Sequence, residues 1–410
     1  MTRCSRTILC LVLFAGLGTS VSLANPAFSR QNDLACGACH TVWPNLNAFG
    51  REFKENGFRL EAGKAAPERL QQVEERTWLE KFPLAARING RLYDKSRGQD
   101  RGRLRPFHEI EVYLSGSASN NFSYQFVVEA EDEIMTFTDE DGNTQADDAF
   151  NLFVDTGVFG WHPARHANFL AGWGPVFSAD PYNTLADGHR RITRSNKAPL
   201  ARSFSSGFAI AEPSQHVTFY GRASRLYYSA TVATGNDDPE GTDDKDVLAR
   251  LAYDFPVLGG EDAESGLMFG AFHLDATNGD GLAPGTNQDF TRTGIDFQIE
   301  AGNFSAYGLW LDAKDDVLVG PSVADVSNSA AYVEALYLFE RKDRPFVYPL
   351  VRWESFETND GADNTDAVAV VVGGYLRPNI NVNVEYFRQI SIPGTGPKGY
   401  RWTVFFNIGI

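Results

Sequence analysis

The sequence predicts an all-β fold: a 16-stranded antiparallel transmembrane β-barrel, preceded by a short, mainly helical segment. Three observations carry that expectation. From Leu84 onward, apolar residues recur with a period of two in segments of roughly ten residues, the length a tilted strand needs to cross a bilayer. Short connections alternate with generally longer ones along the chain, as periplasmic turns alternate with outer loops. The strand count is even, and after the opening residues no apolar run is long enough for a spanning helix.

The elements follow in order. Arg3 and Arg6 precede the apolar run "ILCLVLFAGLG", and Ser22 and Ala24 supply small residues at a cleavage position. Residues 1–24 therefore read as a secretory signal peptide, with the mature chain expected to start near Asn25. Residues 25–83 read as helix and loop. In "PNLNAFGREFKENGF", Leu46, Phe49, Phe53 and Phe58 fall at roughly helical spacing, and Gly57 is a natural stop. "PERLQQVEERTWLEKF" suits a second helix, with Leu70, Val73, Trp78 and Leu79 as its apolar set. About sixty residues is marginal for a core of its own, so this segment is expected to lean on the rest of the chain.

Residues 84–410 carry the strands. "HEIEVYLSG" sets Ile110, Val112 and Leu114 against Glu109, Glu111 and Tyr113, and "INVNVEYF" sets Ile380, Val382, Val384 and Tyr386 against Asn381, Asn383 and Glu385. Sixteen segments are expected, centred near residues 90, 110, 126, 153, 171, 218, 229, 250, 269, 293, 308, 334, 351, 370, 385 and 405. The expected short turns are "SASNN", "WHPARH", "RKDR" and "RPN". The expected longer loops include "EDEIMTFTDEDGNTQ", the residues after Phe177, "GNDDPEGTDD", "ATNGDGLAPGTN" and "DDVLVGPSVADVSN". A soluble β-sandwich is the competing architecture, but it gives no reason for one-sided alternation of loop length.

Charge narrows the partners. The formal net charge of −16 argues against nucleic acid and is compatible with attraction of cations. Carboxylates at 131–133, 139–141 and 237–244 fall on expected outer loops, where a hydrated surface is the simpler reading of each.

The chemistry is concentrated in "CGACH". Cys4 and Cys10 lie in the leader, leaving Cys36 and Cys39, so a disulfide framework is not expected. In a C-x-x-C-H site two thiols add across haem vinyl groups and the adjacent histidine supplies an axial nitrogen. Cys36 and Cys39 are therefore the expected attachment points of one haem c, and His40 its proximal iron ligand. A redox-active disulfide would need an α/β frame, and a zinc site would need further ligands nearby. The second axial ligand is left open among His162, His166, His216, Met135, Met268 and water.

The lead-in to that motif resembles the fused monohaem cytochrome–porins of iron-oxidising bacteria. Their signature, A-x-P-x-F-A-R-Q-T-x-x-x-C-x-x-C-H, is matched by Ala24, Pro26, Phe28, Arg30, Gln31, Cys36, Cys39 and His40; Ser29 stands for Ala and Asn32 for Thr. The resemblance implies a porin carrying one haem at the outer membrane, one-electron oxidation of extracellular Fe(II), and a periplasmic c-type cytochrome as acceptor. Outer-membrane lipid would be the remaining partner. Two other function classes compete: a diffusion porin with a haem-bearing plug, and a haem protein for sensing or peroxide reduction.

Overall fold

The computed structural model describes residues 26–32, 34–60, 83–99, 101–119, 121–132, 135–138, 144–147, 151–186, 191–234, 245–255, 266–283, 286–320, 322–342 and 344–410. The expected leader, the helix expected over 67–82 and the acidic stretches 139–141 and 237–244 lie outside these residues.

Sixteen antiparallel strands close into one barrel. In chain order they are β1 (Leu84–Ser96), β2 (Arg103–Ser119), β3 (Phe122–Glu131), β4 (Asn151–Ala164), β5 (Ala167–Pro175), β6 (Pro213–Ala223), β7 (Leu226–Ala233) and β8 (Asp246–Phe255). They continue as β9 (Gly266–Ala283), β10 (Thr286–Ala301), β11 (Phe304–Val319), β12 (Ser322–Tyr337, resuming at Phe339–Glu340), β13 (Pro345–Thr358), β14 (Asp363–Arg377), β15 (Ile380–Gln389) and β16 (Tyr400–Gly409). Closure is made by β16 on β1, with Gly409 opposite Arg87 and Trp402 opposite Lys95. A closed sheet leaves no unpaired edge, which is what a strand architecture needs in lipid. All sixteen expected centres fall within strands.

The period of two becomes inside and outside. Along β8, Asp246, Leu248, Arg250 and Ala252 are buried while Val247, Ala249, Leu251 and Tyr253 are exposed. The outward set is apolar on neighbouring strands too, including Val217, Phe269, Ile295, Trp310, Val351 and Val372. Near the short-turn end, Phe122, Trp161, Phe169, Phe219 and Tyr228 follow one another across β3 to β7 with ring centroids 5.2–6.5 Å apart. Such an aromatic row marks a membrane–water interface.

Two expected loops are strand instead. "ATNGDGLAPGTN" and "DDVLVGPSVADVSN" continue β9 into β10 and β11 into β12, whose hairpins are registered almost to their tips. At 16–18 residues these strands exceed the roughly 9–11 needed to span, so the surplus stands beyond the bilayer.

The larger correction concerns the residues after Phe177. They do not form an outer loop. The described residues of this stretch, 176–186 and 191–212 with helix α4 (Ala198–Ala201), pack inside the barrel, where Phe177, Leu185, Ile192, Leu200, Phe204 and Ile210 are buried. They share a core with inward residues of β9 to β14, among them Phe272, Leu309, Tyr332 and Leu350. Loop length, the only cue used for this stretch, does not distinguish outward from inward.

Wall arginines fix this plug. Arg250 donates from Nη1 and Nη2 to Asp296 at 2.6 and 3.0 Å and from Nε to Asp180 of the plug. Arg292 donates to Ser206 Oγ at 2.8 Å and pairs with Asp315 at 2.7 Å. Arg352 donates to Thr193 Oγ1 at 2.6 Å and to Ser195 and Asn196. Removing one partner of such a buried pair costs about 3–5 kcal/mol. Arg250→Ala, which strands Asp180 and Asp296, is therefore expected to lower the urea midpoint of unfolding, with Arg250→Lys losing less. An unchanged midpoint in both variants would contradict the stapling role.

Candidate haem site

The N-terminal segment folds into the short-turn mouth of the barrel. Its own core is small: Phe28, Leu34, Ala38 and Phe53, with Phe58 stacked on Phe28 at 4.4 Å. Helix α1 (Pro26–Asn32) leads to one helical turn, α2 (Cys36–Cys39). A tight hairpin follows, His40–Val42 against Asn45–Leu46, and then α3 (Ala48–Glu55). The helix expected from the spacing of Phe49 and Phe53 is thus present, and Gly57 ends it with φ +67°.

Local chemistry binds these pieces to the Cys36–Cys39 turn. Asn47 caps α3 by accepting from Gly50 N at 2.9 Å, and its amide donates to the carbonyls of Gly37 and Ala38. Gly50 is required there, since a Cβ would lie 2.1 Å from the Cys39 carbonyl oxygen. The two departures from the resembled signature both serve α1: Ser29 Oγ donates to Leu34 O at 2.5 Å and Asn32 donates to Phe28 O at 3.0 Å.

The segment is also docked to the barrel and plug. Arg222 of β6 makes a two-pronged ion pair with Glu55, at 2.7 and 2.6 Å, and Arg51 pairs with Glu300 at 2.7 Å. Leu46 exchanges two hydrogen bonds with the Asn183 side chain, and Lys54 donates to Asp180 O. Trp43 N donates to Tyr375 OH at 2.9 Å, while the Arg87 guanidinium lies over the Trp43 ring at 5.4 Å.

Cys36, Cys39 and His40 line a single cavity of about 840 Å³ in this mouth, near the upper end of the roughly 300–1,000 Å³ usual for ligand pockets. Phe28, Phe49, Trp43 and Leu338 give it apolar surface, and its wall carries both signs of charge, with Lys54, Arg87, Lys342 and Arg344 beside Asp180, Glu300 and Glu340. No disulfide joins the two cysteines. Burial pushes the Cys39 thiol up to about 12, the neighbouring Cys36 adding to the rise.

His40 has the arrangement an axial ligand requires. Its Nδ1 lies 3.0 Å from the Pro44 carbonyl oxygen, an acceptor that requires the proton on Nδ1. Burial lowers its pKa to about 4, so the ring is neutral and Nε2 keeps its lone pair. The donor set and the size of the cavity fit a haem c.

The second-ligand candidates are not brought to this cavity. His162 is buried at the end of β4, with Nε2 2.7 Å from Ser123 Oγ and Nδ1 3.2 Å from Asn168 Oδ1. His216 faces the lumen as its strand position predicts, but its nitrogens meet Ser178 Oγ and Ser214 O, each at 3.0 Å. His166 is exposed on the β4–β5 turn, and Met268 is packed in a separate cluster with Tyr182 and Tyr227. The side chain of Met135 lies outside the described residues. Among the described residues, His162, His166, His216 and Met268 do not line the cavity, which leaves water and Met135 from the original set.

No family model matches the chain, and neither does any curated protein. Solved structures do resemble it. An anion-selective porin from Comamonas acidovorans superposes with a TM-score of 0.56 at 10% identity, covering 80% of this chain and 98% of the porin. OmpF of Salmonella typhi gives 0.53 at 11% identity, covering 80% and 97%. A loop-deletion mutant of OmpT from Vibrio cholerae gives 0.51 at 14% identity, covering 80% and 98%. The chain has the fold of an outer-membrane porin. The cavity opens at the short-turn end of the barrel.

Sequence reasoning missed the docking partners. The inward position of Arg250 in "DVLARLAYDF" was readable from the alternation, but its partner Asp180 depended on where the plug folds. Arg222→Ala is expected to leave Glu55 buried without its counter-ion, at a cost of about 3–5 kcal/mol. Faster proteolytic cleavage within residues 26–60 of the assembled barrel would register that loosening; an unchanged cleavage rate would contradict it.

Proposed function

We propose that this protein is an outer-membrane electron-transfer protein that takes electrons from extracellular Fe(II) and hands them to a periplasmic c-type cytochrome. A haem c held by Cys36 and Cys39, with His40 as proximal ligand, supplies the one-electron couple. The observation carrying this reading is that both thiols and a neutral, correctly tautomerised imidazole line one large cavity in the barrel mouth. The Pro-x-Phe-x-Arg-Gln lead-in supports Fe(II) as the donor.

The chain's residues have separate tasks in this reading. Pro44 O holds the His40 proton at Nδ1, and Asn47 fixes the Cys36–Cys39 turn. Phe28, Phe49 and Trp43 exclude water from the cavity wall. The plug fills lumen that would otherwise be solvent, so the barrel interior beside the site is packed protein. The bilayer core is about 30 Å thick, so a site recessed into the barrel is better placed than one outside it.

Aqueous Fe(II) added to the oxidised, purified protein is expected to produce a ferrous haem spectrum. Reduction by dithionite but not by Fe(II) would remove the donor. Cys36→Ser with Cys39→Ser is expected to abolish covalent haem on a denaturing gel; retained haem would remove the attachment site.

The porin fold itself favours a second reading, a diffusion channel regulated by its N-terminal segment. Sugar-driven swelling of liposomes carrying the protein, unaffected by haem redox state, would select it.

A further inference from the structure

The lumen wall opposite the plug core carries a compact set of acids. On β2 and β3, Glu111 lies opposite Glu129 and Glu109 opposite Glu131, all on the inward side. Ligand oxygens of Glu109, Glu111 and Glu129 lie within 4.8 Å of one another. Arg87 is their shared counter-ion, with Nε and Nη2 on Glu111 at 2.5 and 2.6 Å and Nη2 also on Glu109. Tyr113 OH also donates to Glu111, and the Glu129 side chain accepts no hydrogen bond from a described residue.

An independent feature points into the same place. Asn89 is the cross-strand partner of Glu109 and only 8% exposed, and its Oδ1 is buried with no hydrogen-bond partner. Its orientation is set by a ladder of amides: Asn89 Nδ2 donates to Asn407 Oδ1 at 2.9 Å, and Asn407 Nδ2 to Asn381 Oδ1 at 3.0 Å. Nδ2 is committed toward β16, and the cross-strand neighbour on the other side is Glu109. A buried amide oxygen without a donor, on the strand paired with this carboxylate cluster, is an incomplete oxygen shell.

We propose that Glu109, Glu111, Glu129 and the Asn89 side-chain carbonyl bind one hard divalent cation on the lumen wall. Oxygen-only donors select the Mg²⁺, Ca²⁺ and Mn²⁺ class over softer metals. The neighbouring His108 does not change that class, because Asp132 occupies its Nδ1 while Arg91 and Glu131 occupy its Nε2. Arg87 also lines the cavity of Cys36 and His40, so the cation sits one side chain away from it. The site does not depend on haem being present.

Mn²⁺ titrated into the purified full-length protein, followed by its electron paramagnetic resonance, tests this. The protein is expected to bind one Mn²⁺ tightly. Glu129→Gln, which breaks no hydrogen bond to a described residue, is expected to weaken it about 10–100-fold, and Asn89→Ala about 10-fold. Asp360→Asn, on an exposed outer turn, is expected to bind as the parent does. Heat-modifiable gel migration reports that each variant is a closed barrel. No tight Mn²⁺ in the parent would overturn the site. Parental affinity in folded Glu129→Gln and Asn89→Ala, or equal loss in Asp360→Asn, would overturn it as well.

Discussion

Three arginines pointing inward from the barrel wall determine what kind of barrel this is. Arg250, Arg292 and Arg352 are buried in a lumen where an unpaired guanidinium would be costly, and each finds partners on residues 176–212. Their forks fix the plug from three strands, β8, β10 and β13, and the apolar side chains of the plug then cover the inward apolar faces of β9 to β14. Neither half is stable as seen without the other. The wall would expose Tyr332, Leu309 and Phe272 to water, and the plug would expose Phe177, Leu200 and Ile210.

The N-terminal segment extends the same logic to the short-turn mouth. It has too few apolar residues to fold alone, so it borrows order from ion pairs with β6 and β10 and from Asn183 and Asp180 of the plug. Because α3 is clamped at Arg51 and Glu55, the turn carrying Cys36, Cys39 and His40 is held against a cavity whose other wall is barrel. The opposite side of the lumen keeps its charge, from Arg87 and Glu111 to the asparagine ladder.

Much of this was legible. Side chains alternate with a fixed period, so "HEIEVYLSG" or "INVNVEYF" declares its faces without any tertiary knowledge. The C-x-x-C-H motif is equally local, and the structure brings Cys36, Cys39 and His40 to one cavity; the haem they would hold belongs to the proposed function. What was not legible depends on depth and direction. The inward position of His216 could be read, but not that Ser178 of the plug would occupy its Nε2. Apolar residues such as Phe177, Leu185, Phe204 and Ile210 are too many for a solvated outer loop, and that was the available sign that residues 176–212 turn inward. The β9–β10 and β11–β12 tips read as loops because Gly and Asp interrupt the apolar pattern, yet strands beyond the bilayer need no apolar face.

The central claim is that the barrel passes electrons and not solutes. The most direct measurement places the holoprotein in sealed vesicles with an oxidised soluble c-type cytochrome inside and Fe(II) outside. The account predicts reduction of the enclosed cytochrome with no sugar-driven swelling of the same vesicles. Swelling by sugars, with the enclosed cytochrome left oxidised, would contradict it.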